Sequence, residues 1–198
     1  MSIPLHVKSD YSFGYGTASP GALVECAAAL GYTTLALTDI DSLAGQLHFH
    51  DLCRAHGIRP ISGVELRPSA GKWSPGDRTG RLVLLARDET GYRNLCRIVS
   101  RRRGGSGTAA DQCAAADPVT ALAGLSAGLF VLADDAATLD RLYRAEDIEP
   151  ADMGLLLVRP DPPEQQLAAL QAARRLGVRI VADPEVVLLD AADHALHV

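Results

Sequence analysis

The sequence predicts an α/β fold with parallel strands, and three observations carry that prediction. Short apolar or β-branched runs of strand length recur along the 198 residues. Amphipathic stretches with helical spacing follow most of them, and glycines at 31, 57 and 177 close helical stretches. Apolar strands alternating with amphipathic helices imply parallel pairing through right-handed crossovers. Seven such strands fit either a closed barrel or an open doubly wound sheet, and periodicity does not choose between them.

Leu5–Lys8 reads as a first strand. Ser19 followed by Pro20 is an N-cap with proline at the first helical position, and Leu23, Ala27 and Leu30 form one stripe before Gly31. Thr33–Thr38 is the second strand, and a helix from about Ser42 to His56 carries Leu43, Leu47 and Cys53. Pro60–Val64 is the third strand, and Lys72–Gly80 is a turn-rich loop. Leu82–Leu85 is the fourth strand. Asp88 caps a helix whose Tyr92, Leu95, Cys96 and Val99 follow the i, i+3, i+4, i+7 rule. Residues 101–117, rich in Arg, Gly, Ser and Ala, read as a flexible excursion, and the triplet Arg101, Arg102, Arg103 as a solvated charge run. Gly128–Ala133 is the fifth strand, followed by a helix with Leu139 and Leu142. Met153–Val158 is the sixth, and a helix from Pro162 carries Leu167, Leu170 and Leu176. Val178–Ala182 is the seventh, and a short helix spans Ala191–Val198.

The totals exclude several classes. An apolar content of 47% with 22% charged residues belongs to a chain that folds. At this size a domain buries roughly 70% of its unfolded surface, so residues 1–198 are read as one domain. The net charge is -5 and the pI about 5.6, which argues against direct nucleic-acid binding by this domain. Four separated cysteines (Cys26, Cys53, Cys96, Cys113) without a C-x-x-C pair suit buried thiols in a reducing cytoplasm. No run has the length of a membrane span and the start lacks the regions of a signal peptide, so a cytoplasmic protein without membrane contact is expected.

In parallel α/β folds the reactive groups gather at the carboxyl ends of the strands. That rule selects His6 and Lys8, Asp39 and Asp41, Glu65, Arg87 and Asp88, Asp134 and Asp135, and Asp183 and Glu185. Crowded carboxylates need a cation or a basic side chain to neutralise them. For Asp39, Asp41 and Asp88 the plainer reading is helix capping. His6 and Lys8, two apart on a strand, share a face. Neutral imidazole binds metals, whereas ammonium repels them, so Lys8 reads as a carboxylate's partner. His48 and His50 are two apart on a presumed helix and face different ways. His194 and His197 sit on the presumed terminal helix.

These residues also carry a resemblance. Leu5–Ser12 (LHVKSDYS) resembles LHVHSDYS, the opening motif of the PHP (polymerase and histidinol phosphatase) domain. Ala36–Leu66 resembles its motifs ALTDHxxxxG and PIxGxE, and Leu82–Ser100 the stretch that follows in alpha subunits of bacterial C-family DNA polymerases, the error-prone ones included. Ile180–His197 fits the closing motif more loosely, and residues 101–180 are the least similar. The resemblance implies a distorted (β/α)7 TIM-like barrel. Active members hold up to three metal ions with nine ligands and cleave phosphoesters. Here His6 and Glu65 match ligand positions, and Glu185 replaces an aspartate. Lys8, Ile40, Arg81 and Val187 stand where the family has histidines, and Tyr15 where it has an aspartate. Asp135 aligns with a cysteine.

Catalytic zinc needs about three protein ligands and an open position. The expectation is therefore a non-catalytic structural and interaction domain, the amino-terminal module of a polymerase III alpha subunit or a detached homologue. His6, Glu65 and Glu185 are its relic metal-ligand positions, and Lys8, Arg81 and Asp135 are charges filling the site. No cofactor is expected. The polymerase body, in cis or in trans, and a proofreading exonuclease are the implied partners. The alternative is a metal-dependent phosphoesterase with a rebuilt zinc or manganese site that uses His6, Glu65, Asp39 and Glu185.

Overall fold

The computed structural model describes residues 3–68, 80–104, 117–145, 147–158 and 163–190. Its elements follow the chain as α1 (Pro20–Ala29), β1 (Thr34–Leu37), α2 (Gln46–Ala55), β2 (Arg59–Leu66), β3 (Leu82–Ala86) and α3 (Glu89–Arg103). Then come α4 (Pro118–Leu122), β4 (Leu129–Ala133), α5 (Ala136–Arg144), β5 (Met153–Leu157), α6 (Pro163–Leu176) and β6 (Arg179–Ala182). The strands form one curled sheet in the order β1-β2-β3-β4-β5-β6.

Two expectations about the sheet are corrected. The predicted first strand is a single parallel bridge, Val7 to Val186. Its segment still bonds to both sides, since Thr38 N–H donates to the Val7 carbonyl (2.8 Å) and Lys8 N–H to that of Val186 (2.8 Å). Six strands, not seven, are therefore present among the described residues. The second correction is direction: β3 runs antiparallel to both β2 and β4, while the other pairs are parallel. A parallel return needs a crossover of a dozen or more residues, usually helical, and the sequence of residues 72–80 between β2 and β3 is rich in turn formers.

That reversal exchanges the ends of β3. Arg81, before the strand, lies at the mouth where the other strands finish. Arg87 and Asp88, after it, lie at the base. There Asp88 caps α3 by accepting from Gly91 N–H, and Arg87 pairs with Asp152 at 2.6 Å. The closeness of this corner excludes side chains: a Cβ on Gly91 would meet the Gly128 carbonyl oxygen at 2.0 Å.

Helix boundaries also moved. α2 begins at Gln46, because Ser42–Gly45 forms a turn in which Ser42 Oγ accepts from Ala44 N–H. α3 continues through the arginine triplet, and Asp117 caps the short α4, so 101–104 and 117 are ordered parts of the predicted excursion. Residues 105–116, most of the loop 72–80 and the terminal stretch 191–198 with His194 and His197 lie outside the described residues.

The core has three parts. Val64, Leu66, Leu82 and Leu84 turn outward against α3, α5 and α6. Leu35, Leu37 and Val7 pack with α1 and α2. Val83, Leu85, Leu132 and Leu156 fill the inside of the curl. Alternation along β2 then sends Glu65 inward, opposite to Val64 and Leu66. Cys26, Cys53 and Cys96 are free thiols, and burial pushes Cys53 up to about 11. No helix among the described residues is long and apolar enough to cross a membrane.

Candidate functional site

The mouth holds a buried charge cluster centred on Glu65. His6 Nε2 lies 2.5 Å from Glu65 Oε2, and Lys8 Nζ lies 2.8 Å from the same oxygen. Both side chains come from the 4–8 segment, two residues apart and on one face, and all three residues are fully buried. Arg67 donates through Nε to the other oxygen, Glu65 Oε1. Glu185 completes the ring. Its Oε1 accepts from Tyr15 Oη at 3.0 Å and stands 3.5 Å from an Arg81 terminal nitrogen, 3.8 Å from Lys8 Nζ and 4.0 Å from His6 Nε2.

Arg81 anchors the far side through an Nε bond of 2.6 Å to Asp134. Asp135, expected to fill the site, instead caps α5. It accepts from Thr138 N–H at 2.9 Å and from Gly80 N–H at 2.8 Å. The buried carboxylate that holds Arg81 is thus Asp134, one residue before the aspartate expected to fill the site.

Electrostatics here are set by competition between desolvation and pairing. Burial would raise Glu65, but Lys8, His6 and Arg67 outweigh it and hold the carboxyl well below the usual range. Glu185 is likewise lowered, because Lys8, His6 and Arg81 overcome its burial. Burial and the Lys8 charge lower His6, which favours neutral imidazole. Burial also lowers Lys8, with Glu65 and Glu185 pulling the other way. Arg81 is raised, since Glu65, Asp134 and Glu185 exceed its desolvation.

The remaining candidates separate into structural roles. Asp39 accepts from Ser9 N–H and Oγ, both at 2.7 Å, and from Ser12 Oγ at 2.6 Å, so it ties the first loop to β1. Asp183 accepts from Leu5 N–H at 2.7 Å. Asp41, at a φ of 47°, pairs with Arg102 at 2.6 Å, and Arg101 donates to the Ala121 and Ala123 carbonyls. Two members of the supposedly solvated triplet are therefore engaged internally. Ile40 bridges the backbone of Glu65, Thr17 N–H donates to the Val187 carbonyl, and His50 bonds Ser62 Oγ at 2.7 Å while His48 is exposed. Arg67 is the residue that sequence reasoning missed. It stands two after Glu65, the same spacing that drew attention to His6 and Lys8.

His6, Glu65 and Glu185 place one ligand atom each within 4.8 Å of one another. Their donor chemistry suits zinc or manganese, but their surroundings do not. The lone pairs facing the centre already meet Lys8, Arg67 and Arg81. Lys8, Arg67 and Arg81 already face Glu65 and Glu185, and Arg81 also Asp134, so a divalent ion would bring further positive charge into a buried site.

The sequence matches the PHP domain over residues 4–153. The chain belongs to the PHP domain family. This PHP domain is 37% identical over 190 residues to an error-prone DNA polymerase of Anaeromyxobacter sp. (strain K), covering 92% of the chain and 16% of that relative. It is 31% identical over 209 aligned positions to the DNA polymerase III subunit alpha of Escherichia coli (strain K12), covering 98% and 18%. The chain thus spans less than a fifth of these relatives' length. Among solved structures, an amidohydrolase from Chromobacterium violaceum, with sulfate and no metal, superposes with a TM-score of 0.61 at 15% identity, covering 94% of this chain and 88% of that one. A two-domain protein from Bacteroides vulgatus with a predicted PHP-like metal-dependent phosphoesterase gives 0.56 at 13%, covering 93% and 51%. At these identities the likeness concerns the fold.

Proposed function

We propose that this PHP domain is a non-catalytic structural and interaction module of a bacterial DNA polymerase III alpha subunit, or a detached homologue, working in the cytoplasm. In this reading the curled sheet is a (β/α)7 PHP barrel whose seventh member is the 4–8 segment. His6, Glu65 and Glu185 are former ligand positions, and Lys8, Arg67 and Arg81 supply in covalent form the charge that ions supply in active relatives. The observation that carries the reading is the Lys8 ammonium, fully buried and 2.8 Å from Glu65 Oε2. An ion at that carboxylate would compete with a side chain already in contact with it. The implied partners are the polymerase body, in cis or in trans, and a proofreading exonuclease. In this reading nucleic-acid contact belongs to other parts of the assembly, which the net charge of -5 supports.

A second reading, a zinc- or manganese-dependent phosphoesterase, is favoured by the proximity of His6, Glu65 and Glu185. Against it, Asp39, the fourth group it would use, is occupied by Ser9 and Ser12. Elemental analysis of protein purified without chelator, with a phosphodiester turnover assay on the same sample, separates the two. The proposal expects metal far below one equivalent and no turnover. A full equivalent of zinc or manganese with turnover that Glu65→Gln abolishes would establish the enzyme.

A further inference from the structure

The end of the sheet opposite the charge cluster carries a second opening. Its cavity is about 290 Å³, with a floor formed by Ile61, Leu85, Phe130, Leu132 and Val181. All five belong to or pack against the apolar layer inside the curl. The base of a closed sheet is ordinarily sealed by such side chains, and the reactive mouth lies at the other end. Here Arg59, Arg87 and Arg179 line the opening beside Leu5, Ala151 and Met153.

Their placement follows from the strands. Arg59 opens β2 and Arg179 opens β6. Each is two residues before a floor residue, Ile61 and Val181, so alternation turns it toward the same opening. Arg87 follows β3, which ends at the base because it is antiparallel. Arg87 is partly neutralised by Asp152 at 2.6 Å, and its guanidinium lies 5.5 Å from the centre of the Phe130 ring. Arg59 and Arg179 are exposed and have no carboxylate partner among the described residues. Two uncompensated guanidinium groups thus rim an apolar cavity in a chain whose net charge is -5.

We infer that this basal cavity is a binding site for a small amphipathic anion, a carboxylate with an aliphatic or aromatic body of medium length. The body fills the apolar floor and the carboxylate meets Arg59 and Arg179. The volume stands at the lower limit of small-molecule pockets, which combine an apolar lining with a few placed polar groups. Guanidinium is the side chain best matched to a carboxylate, through its fork of donors. The inference is independent of whether the mouth binds metal.

Titration calorimetry of the purified chain with octanoate tests it, with octanol as the uncharged counterpart. The site predicts saturable one-to-one binding of octanoate, weakened by added salt, and binding of octanol about tenfold weaker. Arg59→Met and Arg179→Met, both at exposed positions that leave the core untouched, should each weaken octanoate about two- to fivefold. Val181→Phe, which fills the opening, should abolish binding. Absence of saturable octanoate binding to the wild-type chain would overturn the inference. So would equal binding of octanol, or an affinity unchanged in the double arginine variant.

Discussion

Lys8 shows how one side chain sets the charge of a buried site. Its ammonium occupies the space before Glu65 and carries the charge that a carboxylate in that position requires. Removing one member of a buried ion pair leaves the other charged and unpaired, which costs about 3–5 kcal/mol. Lys8→Met should therefore destabilise the domain toward the lower end of that range, since Arg67 and Arg81 remain near Glu65. Adding Glu65→Gln to Lys8→Met should restore part of the loss. Denaturant midpoints of the two single variants and the double one measure the coupling, and strictly additive losses would show that the pair does not interact. This role for Lys8 was legible in the sequence, because His6-x-Lys8 shares a face and an ammonium is no metal ligand. Arg67 was legible by the same spacing. The exchange of Asp135 for Asp134 was not, since only the geometry of the α5 cap distinguishes two adjacent aspartates.

The elements themselves are held by short polar contacts at their ends, and Asp135 serves two of them. It caps α5 through Thr138 and fixes Gly80 at the entry to β3. An N-cap aspartate replaced by alanine costs about 0.5–2 kcal/mol, and the second bond places Asp135→Ala near the upper end. Asp140→Ala, which removes an exposed pair with Arg175, should lie within about 0.5 kcal/mol of wild type. Urea unfolding of both variants checks the contrast, and equal losses would contradict it. Most helices were readable from caps and stripes: Ser19-Pro20, Asp88 and the leucines of α5 and α6 mark them. The direction of β3 is not written in its own residues, because an apolar run reads the same whichever way the strand points. A turn-rich loop in place of a helix between Val64 and Leu82 was the available sign. The start of α2 shifted because the turn Ser42–Gly45, with a capping-type serine and an apolar Leu43, imitates a first helical turn.

For the whole molecule, the cluster makes acid stability a report on the mouth. Glu65 and Glu185 have folded values below their unfolded ones. Their stabilisation is complete above the unfolded carboxylate value of about 4.3 and is lost as pH falls through the folded values, because the unfolded chain takes up protons first. His6, also lowered, acts in the same direction from about 6.5 downward. Asp134, which burial pushes up to about 7, and the likewise raised Asp39 and Asp183 act in the opposite direction, so the expectation is differential: Glu65→Gln should lose less stability than the wild type below about pH 4.5. Denaturant midpoints at several pH values test this, and parallel curves would refute it. The mixed α/β class and part of the mouth were legible because alternation and strand-end rules are local, although the reversal of β3 carried Arg87 and Asp88 to the other end. The identity of what fills the mouth depends on three-dimensional charge balance, which spacing alone does not supply. That balance is most directly tested by thermal unfolding of chelator-washed protein with and without added zinc or manganese. A site already neutralised by Lys8, Arg67 and Arg81 predicts an unmoved midpoint. A saturable rise, worth about 2.7 kcal/mol at a hundred times the dissociation constant, would contradict it.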